Sequence, residues 1–228
     1  IRMKSVISNG WAPDGREKPA LSAADKAVVR DNLVEAIVFS VPVVRTQLGL
    51  CLRSIAQTDF EGNWPGLVPA ICANLQQQQQ PERIYGALFA LRTLVKVYEF
   101  RQADRRSPLY AVVEQTWPLM GQLIQQLIPA PSVQGSELAL LAMKIFWSAT
   151  QISLPPLLLR PDQLQQWMRM LIGLLEQPLP PGVPDDLEAA AAWKPWKVKK
   201  RVAQIVHRLL QRYGNPNRKS EGPGAKEA

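Results

Sequence analysis

The sequence predicts an all-α fold, a superhelical stack of antiparallel helix pairs. Three observations carry this. Apolar residues recur with helical period in eight stretches, and no alternating pattern of strand length accompanies them. Pro-rich or polar connections divide the stretches into pairs over residues 22–58, 63–100, 107–152 and 161–213. Many of the helices are apolar over more than half their circumference, as expected when each is sandwiched between its partner and the next pair.

The first helix spans 22–40, where Ser22-x-x-Asp25 supplies an approximate capping box. The second, 42–58, aligns Val44, Leu48, Cys51, Leu52 and Ile55; the third, 64–75, aligns Trp64, Leu67, Val68, Ile71 and Leu75. The fourth, 82–100, stacks Ile84, Leu88, Leu91, Val95 and Tyr98. A fifth opens with Ser107 as N-cap and Pro108 at the first helical position, where the missing N–H costs nothing. Its stripe is Val113, Trp117, Met120, Ile124 and Leu127. The sixth aligns Leu138, Leu141, Ile145, Ala149 and Ile152, and the seventh Leu164, Trp167, Leu171, Leu174 and Leu175. The eighth, 193–213, carries Val198, Val202, Ile205 and Leu209 and stops at Gly214, read as a left-handed C-terminal glycine ahead of Pro216.

Residues 1–15 read as the last helix of a preceding repeat, because Ile1-Arg2-Met3-Lys4 already looks like mid-helix. Residues 76–80 contribute a short glutamine tract, 178–192 the longest internal loop, and 214–228 a disordered tail or truncated insertion. The apolar centres of the second helices (Leu48, Leu91, Ile145 and Ile205) lie roughly 43, 54 and 60 residues apart. Helix pairs of about 40–47 residues or slightly more belong to HEAT or armadillo arrays, rather than to tetratricopeptide arrays of about 34. A compact helical bundle is the alternative packing of the same helices.

Composition narrows the function. The 228 residues hold one His and two separated Cys, Cys51 and Cys72, so no zinc motif and no disulfide framework is expected, and a reducing compartment fits. The most apolar stretch, 138–159, is interrupted by Lys144, Pro155 and Pro156 and is too broken to cross a membrane. No glycine-rich phosphate loop is present, and the Asp185-Asp186 pair sits in a Pro-rich loop without a Lys or His beside it. His207, in a basic helix, reads as a surface residue rather than a base. No active site, cofactor or metal is expected.

The net charge of +8 invites a nucleic-acid reading, sharpest at Lys194, Lys197, Lys199, Lys200 and Arg201, a pattern also shared with nuclear localisation signals. The simpler reading is a solvated helix face opposite Val198, Val202 and Ile205. Trp64, Trp117, Trp147 and Trp167 lie in apolar stretches and read as core rather than as base-stacking platforms.

Pieces in order along about 200 residues resemble one family. Val29-Arg30-Asp31-Asn32-Leu33-Val34-Glu35-Ala36-Ile37 resembles the third-repeat helix of importin-β superfamily transport receptors, followed by Val44-Arg45-Thr46-Gln47-Leu48, Asp59-Phe60 and Trp64-Pro65. Lys96-Val97-Tyr98-Glu99-Phe100-Arg101, Lys144-Ile145-Phe146-Trp147 and Trp196-Lys197-Val198-Lys199-Lys200 are similar to the importin-seven/eight subgroup. The resemblance implies a HEAT-repeat solenoid covering roughly repeats three to six of a receptor that shuttles between cytoplasm and nucleus through the pore. Its implied partners are Ran GTPase in the GTP form, cargo proteins and nucleoporins; membrane and nucleic acid are not expected partners. Glu61 departs from the family's frequent Pro after Asp-Phe, and the basic charge departs from its usual acidity. Helical geometry puts Arg53, Lys96, Lys200 and His207 opposite or beside the apolar stripes of second helices, as candidate partner-facing residues. A generic helical-repeat scaffold and a nucleic-acid-binding helical protein are the competing functions.

Overall fold

The computed structural model describes residues 2–12, 20–77 and 79–214. Among these every regular element is helical: α1 Arg2–Gly10, α2 Ala23–Phe39, α3 Pro42–Asp59, α4 Leu67–Leu75, α5 Pro81–Val97, α6 Ser107–Leu127, α7 Val133–Ala149, α8 Pro161–Glu176, α9 Leu187–Ala192 and α10 Lys194–Tyr213. Short 3-10 turns at Ala103–Arg105 and Pro156–Leu159 lead into α6 and α8. Most of the proposed tail, Gln78 in the glutamine tract and residues 13–15 lie outside the described residues.

The helices pack in two layers. α2, α4, α6 and α8 follow one another in the first; α1, α3, α5, α7 and α10 follow one another in the second. The antiparallel partners are α2 with α3, α4 with α5, α6 with α7, and α8 with α10. One continuous apolar core runs between the layers. At the α6–α7–α8 seam Trp117 stacks on Phe146 with centroids 4.9 Å apart, and Trp167 closes on both at 4.9 and 5.2 Å. Three aromatic rings thus bind one helix pair to the next, a geometry worth more than its buried area alone. At Gly86 the chains come closer than a side chain allows: a Cβ there would lie 2.6 Å from the Val38 Cα of α2.

Several local expectations change. Ser22 caps α2 by accepting the Asp25 N–H at 3.1 Å, but Ser107 is itself helical and Arg106 is the N-cap of α6. Arg106 is fully buried and donates to the Ala149 carbonyl, so its tertiary role overrides the local capping preference. Val44 and Ile152, placed on apolar stripes by spacing, are exposed; Ile152 lies beyond the end of α7. Part of the 178–192 loop is α9, which Asp186 caps by accepting the Ala189 N–H. Gly214 is right-handed, with φ −79°, because its N–H continues the ladder to the Leu210 carbonyl. Trp147 is half-buried rather than core.

Candidate partner-binding surface

The second layer turns a polar face away from the first. On α5 it is Tyr85, Phe89, Arg92 and Lys96, at helical spacing. On α7 it is Gln134, Glu137, Lys144 and Trp147, with Gln151 just past its end; on α10 it is Lys194, Lys197, Arg201, Gln204 and Arg208. Side-chain contacts tie the rows together. The Arg45 guanidinium of α3 lies over the Tyr85 ring at 5.0 Å. Lys194 pairs with Glu137 at 3.3 Å. Arg201 and Arg208 stand 5.0 and 3.7 Å from the Trp147 centroid. A cleft of about 280 Å³ opens among Arg45, Glu82, Tyr85, Gln134 and Glu137, and a groove of about 400 Å³ among Trp147, Arg201, Gln204, His207, Arg208 and Arg212.

Some of this charge is structural. The last carbonyls of a helix lack partners and carry partial negative charge, so a cation satisfies both deficits. Arg208 donates to the Trp147 carbonyl at 3.0 Å, to Thr150 Oγ1 at 2.7 Å and to Gln151 Oε1 at 2.6 Å, closing the end of α7 beside Arg106. Burial pulls the Arg208 guanidinium down to about 10, with Arg212 adding to the effect. Lys199 Nζ donates at 2.6 Å to the carbonyls of both Leu175 and Gln177, closing α8, and burial lowers its ammonium. Arg45 closes α2 through Ile37, Val38 and Ser40.

The middle of the face is different. Lys144 is held below the ordinary lysine range by burial first, then by Arg92, Lys194, Arg201 and Lys197. Burial lowers Arg92 too, with Glu99 opposing, and the Arg92 Nε has no hydrogen-bond partner. Glu99 itself is buried and accepts from the Ser148 hydroxyl at 2.9 Å.

The four sequence-predicted residues do not form one site. Arg53, Lys96, Lys200 and His207 are all exposed. His207 joins the Trp147 groove, Lys200 lines a separate groove of about 390 Å³ with Leu187, Trp196 and Lys197, and Lys96 lies one turn beyond Arg92 on α5. Among the described residues no group of three metal-ligating side chains is present, and no helix is long and apolar enough to cross a membrane.

No family profile matches the chain. The importin beta-like SAD2 homolog of Arabidopsis thaliana is 35% identical over 228 residues, which cover 96% of this chain and 22% of that protein. Human importin-8 is 36% identical over 227 residues, 95% of this chain and 21% of that protein. The exportin Cse1 in its cargo-free, cytoplasmic state matches in structure with a TM-score of 0.79 over 94% of this chain and 24% of its own, at 18% identity. The chain belongs to the importin-β family. It spans about a fifth of the length of these relatives.

Its two layers are therefore a HEAT-repeat solenoid. The departure at Glu61 has a local reason: its carboxylate accepts the Tyr98 hydroxyl at 3.0 Å and pairs with Arg101 at 3.2 Å, tying the α3–α4 turn to the end of α5. Burial and that bond to a carboxylate push the Tyr98 phenol up. Sequence reasoning missed Arg92, Lys144, Trp147 and Arg208. Arg92 and Lys144 share no local motif, and only the neighbouring helix makes them a cluster. The available signal at Trp147 was Lys144 three residues earlier, on the same face.

Proposed function

We propose that this stretch forms repeats near the third to sixth of a nuclear transport receptor, which shuttles between cytoplasm and nucleus. Ran in its GTP form and cargo proteins are its partners, and nucleoporins carry it through the pore. It works by shape and charge, without catalysis. What supports the reading is similarity along nearly the whole chain to importin sequences of several organisms, on a solenoid whose repeats touch only their neighbours. In such a stack a ligand at one end and a ligand at another communicate through curvature. Arg53, Lys96, Lys200 and His207 remain proposed partner-facing positions.

Retention of Ran loaded with GTP, and not with GDP, by the whole protein that carries this stretch is the expected result. Equal retention of both states, or of neither, removes the reading.

A further inference from the structure

We propose that the second-layer face of α5, α7 and α10 holds an extended acidic segment of a partner protein, with Arg92, Lys144, Lys197 and Arg201 as the anchoring cations. This surface is independent of the Ran reading. The four residues lie on one face of three helices that pack side by side in the second layer, α5 on α7 and α7 on α10, and their charges converge on Lys144. Among the described residues no ion pair reaches any of them: Lys194 is the neighbour that has one, with Glu137. Glu99 is the carboxylate whose field reaches Arg92, and it is buried and committed to Ser148. Four cations gathered with no ion-pairing carboxylate among them, and only the buried Glu99 acting on Arg92, repel one another in the free protein. A ligand that brings carboxylates relieves that repulsion, which is charge complementarity with a defined location.

Geometry favours a peptide over a nucleic acid. Packed helix axes are about 8–10 Å apart, and an extended peptide rises about 3.3 Å per residue, so acidic residues three apart meet successive helix rows. Single-stranded nucleic acid binds by stacking bases on free aromatic faces. The aromatic ring central to this face, Trp147, already carries Arg201 at 5.0 Å and Arg208 at 3.7 Å. The Trp147–His207 groove continues the cationic track toward the end of α10.

The test is fluorescence anisotropy of a fluorescein-labelled oligo-glutamate peptide on the whole protein at physiological salt, beside an oligo-dT of equal charge. The peptide is expected to bind more tightly than the oligo-dT. The pair K144E/R201E should weaken it at least tenfold, whereas R105E/R169E, an equal charge change at exposed sites off this face, should leave it within twofold. Because Lys144 is half-buried, K197E on the exposed turn serves as the second variant and should weaken binding about threefold with an unchanged melting curve. The proposal is overturned by absent peptide binding, by equal losses in both pairs, or by tighter oligo-dT binding that K144E/R201E abolishes. The last outcome would make the face a nucleic-acid surface.

Discussion

Replacing Arg208 by Met tests whether buried cations hold the helix ends together. Met keeps the unbranched stem and removes the guanidinium. Three hydrogen bonds from a charged donor are lost, to the Trp147 carbonyl, Thr150 and Gln151. At about 1.5–3 kcal/mol each, the gross loss is roughly 5–9 kcal/mol. Arg208 is only 8% exposed, and burial pulls its guanidinium from the ordinary arginine value down to about 10, so the site resists the charge. At 1.36 kcal/mol per unit that resistance is on the order of 3 kcal/mol, and Met escapes it. Thr150 keeps its own bond to the Phe146 carbonyl at 2.8 Å, and the Gln151 side chain regains water. What remains is the Trp147 carbonyl without its donor and its ring without the nearer of its two cations, Arg201 staying at 5.0 Å. The net expectation is a destabilisation of about 2–4 kcal/mol, or a Tm lower by roughly 5–12 °C for a chain of this size. Arg212→Met, which gives up one exposed bond to the Gln151 carbonyl at 2.8 Å, should cost under about 1 kcal/mol. The assay is thermal and urea unfolding of both variants beside the wild type. If Arg208→Met melts with the wild type, or no lower than Arg212→Met, desolvation cancels the capping bonds and the reasoning fails.

Three further outcomes follow from the same physics. Tyr98 has its phenol pushed above the ordinary range in the fold, so the folded state binds more protons than the unfolded chain above about pH 10, and stability falls as pH rises from there; Tyr98→Phe should flatten that alkaline limb in urea midpoints taken between pH 8 and 11. Gly86→Ala gains about 1 kcal/mol of helix propensity but drives a Cβ to 2.6 Å from the Val38 backbone, so a net loss of about 1–2 kcal/mol is expected by chemical denaturation. Gly49→Ala, which meets the edge of the Phe89 ring instead, should cost less because a ring can move. Lys199→Met should cost about 1–2 kcal/mol for its two carbonyl bonds, whereas Lys200→Met, on the exposed side of the same turn, should lie within about 0.5 kcal/mol of wild type; equal melting temperatures would refute the distinction.

The helices were legible because each apolar stripe is a local property, readable at a period of 3.6. Leu48, Cys51, Leu52 and Ile55 are buried on α3 as their spacing requires. Ends were less legible where tertiary demand competes with local chemistry. Ser107 has the better capping side chain, yet Arg106 is drawn inward by the Ala149 carbonyl and shifts the helix start by one residue. The Leu187–Ala192 helix hid behind Pro-Gly-Val-Pro, although Asp186 ahead of four alanines is a helix start in its own right. The basic run at 194–201 read as a solvated face, but its members have separate fates. Lys194 pairs with Glu137, Lys199 closes α8, Arg201 covers Trp147, and Lys197 and Lys200 stay exposed. A helical wheel says which side of α10 is polar. It does not say that α7 and the end of α8 lie against that side, because those partners are set by the stacking of whole repeats.

The same partition accounts for part of the net charge of +8. Five helices, α3, α5, α6, α8 and α10, carry Pro in the first turn, which removes donors that an acidic side chain would otherwise serve. Helix carboxyl ends have no such shortcut, since every residue keeps its carbonyl, and the ends of α2, α7 and α8 are the ones closed by cations. Arg45, Arg106, Lys199 and Arg208 fill that need from neighbouring elements. In this stretch cations are recruited at carboxyl ends without a matching demand for acids at the Pro-bearing amino ends, which contributes to its positive balance. That portion of the charge is already bonded and contributes little to capture of a ligand. The cations gathered for an acidic ligand are the unpaired ones on the α5–α7–α10 face, so its salt dependence should follow Arg92, Lys144, Lys197 and Arg201 rather than the total.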